Sequence, residues 1–307
     1  MLHEYAVEPA AIAEDWQTCR YLCEKFGYDR GRLLSLFPKK WLPLAIEAAG
    51  HLKPMEKHRV TESLKQLKNR ASMKSGRPYD DQLPTWLDNA IAQHGEKPFH
   101  AIIAQENPAN HAAVLKSADI DEAMPLMAIA PDRAVPRDEA SISEALACLL
   151  RQSSRILFVD PFFDPYSAKY RRTLQACLRI VKDNNPAASC EIHYRFHPDK
   201  PANAELENEA ANLFPGIVPD GLQVKIFCWR EINGGEDFHD RYLLSEKGGI
   251  AIGAGYSAEG ANQTTNMHLM SSVLSRRRYD SFARDAGFYT LEGPILLVSS
   301  TGAVARL

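Results

Sequence analysis

The chain of 307 residues has few of the features that mark membrane, secreted or zinc-stabilised proteins. No segment approaches the ~18 consecutive apolar residues that cross a bilayer, and the N-terminal stretch MLHEYAVEPAAIAEDW lacks the apolar centre of a signal peptide. The six cysteines form no C-x-x-C pair, which favours free thiols in a reducing compartment over a zinc site. We therefore expect a soluble, cytoplasmic protein without a membrane span.

The sequence also lacks a strong charge of either sign, since its formal net charge is −3. Binding to nucleic acid or to anionic lipid would have to come from a local patch. The glycine patterns of P-loop and dinucleotide sites are missing, and the serines lack the context of a nucleophile elbow. These absences argue against a nucleotide-cofactor enzyme and a serine hydrolase, and we expect no cofactor.

The sequence does contain a change of pattern near its middle. The first half predicts mainly helices, and the segment MEKHRVTESLKQLKNRAS is the clearest because its apolar residues recur on one helical face. Beyond one strand near 99–104, prolines recur up to residue 138. Strands then alternate with helices, which indicates an α/β fold with a mixed sheet flanked by helices. We predict a mainly α-helical N-terminal domain over 1–137 and an α/β domain over 138–307.

The segment FHDRYLLSEKGGIAIGAGYSA, residues 238–258, carries the most informative pattern. His239 and Arg241 are two apart on a predicted strand, so both side chains would leave the same face. The arginine offers a planar fork of donors for a phosphate, and the histidine can act as nucleophile or proton carrier near neutral pH. Glu246 follows after four residues and could accept a ring N–H. Gly253 follows after six more and would let the backbone approach an anion.

This spacing resembles that of the phospholipase D-like superfamily, whose motif is H-x-K, four residues, D, six residues, then G-S-x-x-N. The corresponding residues of this chain are His239, Arg241, Glu246, Gly253, Ala254 and Ser257. All the intervals agree, whereas Arg replaces Lys, Glu replaces Asp, and the Ser and Asn of the last element are Ala and Ser. The H-D-R form is also similar to the C-terminal domain of MIT-domain proteins, which is thought to bind membrane phospholipids. The resemblance covers roughly residues 140–307 and leaves the first half unassigned.

The resemblance implies a fold, a chemistry and an assembly. In that superfamily two such histidines meet across a pseudo-twofold axis: one attacks phosphorus, the other protonates the leaving oxygen, and no metal is needed. A chain with one motif would have to form a homodimer. The implied catalytic residues are His239, Arg241 as phosphate ligand and Glu246 as the group that orients the histidine. Gly253 and Ser257 would shape the phosphate pocket.

Other residues are weaker candidates for the same cleft. Asp160 follows an apolar strand, at the end where ligands of open α/β sheets bind, so it either borders the site or forms a turn that caps the next helix. Arg276 and Arg277 are candidate phosphate contacts, against the alternative of a solvated face. His193 and Arg195 repeat the H-x-R spacing, but no acid or glycine turn follows. We interpret that segment as a strand whose end lines the cleft, where a contact role stays open.

Two functions are therefore compatible with the sequence. The leading hypothesis is a metal-independent nuclease that works as a homodimer, and a role in bacterial defence against foreign DNA would fit such proteins. The alternative is a catalytically inactive module that binds phosphate on nucleic acid or on a lipid headgroup, with the N-terminal domain recruiting a partner protein. A strict monomer could not bring two copies of the motif together, so the oligomeric state separates these hypotheses.

Overall fold

The structure is a computed structural model that describes residues 1–198 and 203–307. It divides the chain into two units, Met1–Pro131 and Asp132–Leu307. Each unit is built from a sheet with helices packed against it, so the predicted α/β class is confirmed. The strand Asp132–Arg137, which the predicted boundary assigned to the first domain, pairs within the sheet of the second unit.

The first unit is a parallel sheet with helices on both faces. Its strands are β1 (His3–Val7), β2 (Arg32–Leu36), β3 (Ser72–Lys74), β4 (Ala101–Ala104) and β5 (Val114–Lys116). Its α-helices are α1 (Pro9–Ile12), α2 (Trp16–Lys25), α3 (Trp41–Ala48), α4 (Pro54–Ala71) and α5 (Trp86–Glu96). The strand order is β3-β2-β1-β4-β5 and every neighbouring pair is parallel.

The prediction of a mainly helical first half needs correction, because it missed this sheet. The helices are present, but four of the five strands had no recognisable signal. Along β1, Tyr5 and Val7 enter one hydrophobic core while Ala6, between them, enters another. A strand buried on both faces has no alternation of apolar and polar residues, and a run of three to five residues is too short to distinguish from a helix.

The second unit contains a larger sheet and longer helices. Its strands, among the described residues, are β6 (Asp132–Arg137), β7 (Arg155–Val159), β8 (Ser189–Arg195), β9 (Gln223–Glu231), β10 (Tyr242–Ser245), β11 (Gly249–Ile252), β12 (Gly260–Leu269), β13 (Tyr289–Leu291), β14 (Leu296–Ser299) and β15 (Val304–Arg306). Its helices are α6 (Glu139–Gln152), α7 (Ala168–Asn184), α8 (Asn203–Leu213) and α9 (Ser272–Ser281). No helix in the described ranges combines the length and the apolar character that crossing a membrane requires.

The sheet of the second unit is mixed, as predicted. Its order is β15-β14-β9-β8-β7-β10-β11-β12-β6, with β13 also paired to β9. The strands β7, β8 and β9 are parallel, and the other pairs are antiparallel. Near the end of the chain, the helix α9 begins at Ser272, because the side chain of Ser271 accepts a hydrogen bond from the N–H of Leu274 and caps it.

The strand directions bring four chain segments to one edge of this sheet. Because β7, β8 and β9 are parallel, their carboxyl ends meet there, and β10, antiparallel to β7, begins at the same edge. The N–H of Asp160 donates to the carbonyl of His193 at 3.0 Å, which joins the ends of two of these strands. The segments after β7, β8 and β9 and before β10 therefore form one surface.

Candidate functional site

His239 and Arg241 lie in the loop that precedes β10, and not on the strand itself. The prediction that they share a strand face is therefore wrong, because pairing with β7 begins only at Tyr242. The phenolic hydroxyl of Tyr242 donates to Asp240 Oδ2 at 2.5 Å and holds the loop against the strand. His239 is 66% exposed, and its Nε2 lies 3.5 Å from Asp240 Oδ1. The imidazole is thus accessible to a ligand from solvent.

Arg241 connects this loop to the glycine turn after β11, as the spacing had suggested. Its Nη1 donates to the carbonyl of Gly253 at 3.1 Å. Its guanidinium carbon lies 4.6 Å from the ring centroid of Phe162, which is 37% exposed. The structure therefore brings Arg241 and Gly253 together beside the loop that carries His239, and it leaves part of the guanidinium fork available at the surface.

Arg195 and Glu231 complete the cluster, although the predicted site did not include Glu231. Arg195 Nη1 lies 3.0 Å from Glu231 Oε1, and the Arg195 guanidinium carbon is 5.5 Å from the ring centroid of Phe162. Glu231 also accepts the N–H of Phe238 at 2.6 Å. Burial alone would raise the pKa of Glu231, but these hydrogen bonds and the charges of Arg195 and His239 hold it below its ordinary value. An ionised carboxylate therefore lies within electrostatic reach of His239.

Asp160 borders the site. It also forms a turn, which was the other role predicted for it. It is 2% exposed; Oδ1 accepts the N–H of Phe162 at 2.9 Å and Oδ2 accepts the N–H of Tyr256 at 3.0 Å. It does not cap the following helix, whose N-cap residue is Ser167. Gly255 approaches it so closely that a Cβ there would lie 2.3 Å from Asp160 Oδ2. Asp160 thus braces the Phe162 loop against the turn that contains Gly253.

Glu246 is not beside His239, so its predicted orienting role does not fit the geometry. Its two oxygens accept the N–H groups of Ser154 and Arg155 at 2.8 and 3.1 Å. Arg155 begins β7 and Ser154 directly precedes it, whereas His239 lies near the end of that strand. The four residues of β10 lie between Arg241 and Glu246, so these two residues are about 16–17 Å apart at the rise of an extended strand. The carboxylate anchors the far end of the β7–β10 pair.

Ser257 and Arg276 are occupied elsewhere, and no contact among the described residues joins Arg277 to the cluster. Ser257 is buried and its hydroxyl accepts from Arg137 Nη2 at 2.5 Å. Arg276 pairs with Asp280 one turn along its own helix at 3.0 Å, and Arg277 is exposed on that helix. The third arginine of the run, Arg278, reaches the loop instead. It binds Glu236 and lies 3.8 Å from Asp240 Oδ2.

His193 is fully buried and cannot contact a ligand. Trp229 Nε1–H donates to its Nδ1 at 3.0 Å, and its Nε2 lies 3.3 Å from Glu191 Oε2. Since the indole can only donate, the imidazole proton must sit on Nε2 and face Glu191. Burial lowers the pKa of His193, which keeps the ring neutral. Arg155 binds both oxygens of Glu191 at 2.9 and 2.8 Å, so this cluster is a structural network under the site.

The site carries no arrangement for a metal ion. Across residues 1–198 and 203–307, no group of three or more His, Cys, Asp and Glu side chains is placed to hold one. The chemistry available at this edge is therefore that of an accessible imidazole, two guanidiniums and a carboxylate of lowered pKa.

Comparisons with known proteins do not show a family for this chain. No protein-family model and no curated protein matches its sequence. Among solved structures, it is similar to the archaeal chromatin protein TrmBL2, which is described as showing a novel mode of DNA binding. That match has 10% identity and a TM-score of 0.28, and it spans 50% of this chain and 52% of the other. This degree of likeness does not indicate a common fold.

Proposed function

We propose that the second unit recognises and cleaves phosphodiesters, with His239 as the reacting side chain. The observation that supports the proposal is the convergence of His239, Arg241, Arg195 and Glu231 at one sheet edge. An exposed imidazole beside two guanidiniums suits a phosphate group, because each guanidinium can donate to its oxygens. The motif spacing, which resembles that of phospholipase D-like proteins, supports the same assignment.

The proposed reaction has two steps. A ring nitrogen of His239 forms a bond to phosphorus while the bond to the leaving oxygen breaks, and that oxygen takes a proton from His239 of a second copy of the chain. In the second step, water attacks phosphorus and gives a proton to the same histidine of the second copy. The phosphorus–nitrogen bond breaks, which frees His239 and releases a phosphate monoester. Arg241 and Arg195 offset the charge that gathers on the phosphate oxygens. The ionised carboxylate of Glu231 lies within electrostatic reach of His239.

The proposal predicts hydrolysis that depends on His239 and not on added metal. We would incubate the full chain with bis(p-nitrophenyl) phosphate and with end-labelled DNA and RNA, in excess EDTA. His239→Ala should abolish cleavage, whereas the control His268→Ala should retain it, because His268 is an exposed histidine on β12 paired with Asp132. Equal activity of both variants, or a strictly monomeric active enzyme, would overturn this mechanism.

The second candidate is a phosphate-binding module without catalysis. It is favoured by the position of His239, which is 66% exposed and has an acid 3.5 Å from Nε2 on its own loop. An imidazole so open to water is poorly protected for covalent chemistry. This function predicts that Arg241→Ala weakens phosphate binding while the wild-type protein cleaves none of the substrates above.

A further inference from the structure

Two arginine side chains lie over one partly exposed phenylalanine at the sheet edge that carries the site. Arg241 lies 4.6 Å from the ring centroid of Phe162, and Arg195 lies 5.5 Å from the same centroid. The order Arg241, Phe162, Arg195 follows the strand order β10-β7-β8. We refer to these three residues as the Arg–Phe row.

Neighbouring groups hold both guanidiniums of the row. Arg195 binds Glu231 at 3.0 Å, and Arg241 Nη1 donates to the carbonyl of Gly253 at 3.1 Å. The carboxylate offsets one of the two positive charges, and these contacts orient the guanidinium planes. Such a row attracts a phosphate backbone weakly, whereas guanidinium planes and the 37% exposed ring of Phe162 suit stacking.

This combination discriminates between classes of phosphodiester. A duplex offers mainly phosphates to a protein surface and hides the faces of its bases, and a lipid headgroup has no aromatic ring. Unpaired nucleobases stack on aromatic rings and on guanidinium planes, whatever their identity. The low net charge of the chain, −3, also disfavours a ligand held by its phosphates alone.

We propose that the Arg–Phe row binds the unpaired bases of a single-stranded nucleic acid whose phosphate lies at His239 and Arg241. The inference rests on the proposed function, since it names the substrate class of the same site. Phe162 is the central contact, because it is 37% exposed and lies within 5.5 Å of two guanidinium carbons.

The test compares ligands that differ only in their bases. We would measure the affinity of the full chain for a fluorescent single-stranded oligonucleotide, an abasic strand of the same length, and a blunt duplex. The abasic strand and the duplex should each bind about ten-fold or more weakly, because stacking contributes roughly 1–3 kcal/mol per base. Equal affinity for the abasic strand would overturn the inference, and so would preferential binding to vesicles that contain anionic phospholipid.

Variants then locate the stacking surface. Phe162→Ala should weaken binding of the base-containing strand by about five- to a hundred-fold and leave the abasic strand nearly unaffected. Phe162→Leu keeps apolar volume without a ring and should lose nearly as much. Tyr166→Ala, which removes a similarly exposed aromatic outside the row, is the matched control and should change neither affinity. A Tyr166 effect equal to that of Phe162 would contradict the assignment.

The outcomes for the two proposals are separable with wild-type protein. Hydrolysis of bis(p-nitrophenyl) phosphate tests the chemistry of His239 without any nucleobase. A protein that cleaves this diester but binds abasic and normal strands equally would retain the proposed function and lose the substrate class. A protein that prefers strands with bases but cleaves nothing would retain the binding surface and lose the catalytic role.

Discussion

Gly255 lies in the turn after β11 with a φ of +72°, where it approaches the buried carboxylate that braces the site. A Cβ at this position would lie 2.3 Å from Asp160 Oδ2 and 3.3 Å from Arg241 Cδ. Asp160 cannot turn away freely, because it is 2% exposed and its other oxygen accepts the N–H of Phe162. Gly255→Ala must therefore displace the carboxylate from the N–H of Tyr256.

The expected loss of unfolding free energy has two sources. An alanine in the left-handed region costs roughly 1–2 kcal/mol. Losing a hydrogen bond between a buried carboxylate and a backbone N–H costs roughly 1.5–3 kcal/mol more. We expect Gly255→Ala to lower the free energy of unfolding by about 3–5 kcal/mol, near the upper limit for a single substitution. The displaced Arg241 should also bind phosphate more weakly.

Urea unfolding, followed by circular dichroism and by tryptophan fluorescence, measures this loss. Gly287→Ala is the control, because Gly287 has a φ of +74° in the same unit but nothing within 4 Å of its Cβ position. That variant should lose only the conformational contribution of about 1–2 kcal/mol. In an Asp160→Ala background, the loss of unfolding free energy caused by Gly255→Ala should fall to the same value of about 1–2 kcal/mol. Equal losses for Gly255→Ala and Gly287→Ala would refute the close approach to Asp160.

Three further outcomes follow from the contacts around the site. Glu246→Ala should lower the free energy of unfolding by about 1–3 kcal/mol, because it leaves two backbone N–H groups without their acceptor. The affinity for phosphate should not change. A loss of phosphate affinity in this variant would support the orienting role of Glu246. Burial opposes ionisation of Glu191, but His193 and Arg155 lower its pKa from 4.5 to about 2. The stability this contributes is fully present above pH 4.5 and lost as the pH falls toward 2, so Glu191→Gln should flatten the acid limb of stability against pH. Trp229→Phe removes the donor to His193 Nδ1 and should raise the pKa of that ring, as read from its proton NMR titration.

Local patterns were sufficient where the chain signals its structure over neighbouring residues. The helices of both units show apolar periodicity, and the strands β7, β8 and β9 show compact apolar runs between helices, so the α/β class and the mixed sheet were predictable. The parallel sheet of the first unit was not, because its short strands are buried on both faces and carry no alternation. Its existence depends on pairing between segments that lie far apart along the chain.

The candidate site also has one part that the sequence predicts and another that depends on the fold. The sequence by itself determined that Arg241 and Gly253 meet beside the loop of His239, because β10 and β11 form an antiparallel hairpin that returns the chain to its starting edge. The same strand carries Glu246 away to the opposite end, although it is only five positions from Arg241.

Only the tertiary structure decided which other groups join this cluster. Arg195 and Glu231 reach it because β8 and β9 are parallel to β7 and end at the same edge, and Arg278 reaches it because α9 packs beside β10. Sequence spacing cannot reveal these neighbours, since they depend on the order of strands in the sheet. Strand order is set by the burial of whole faces, which no local segment encodes.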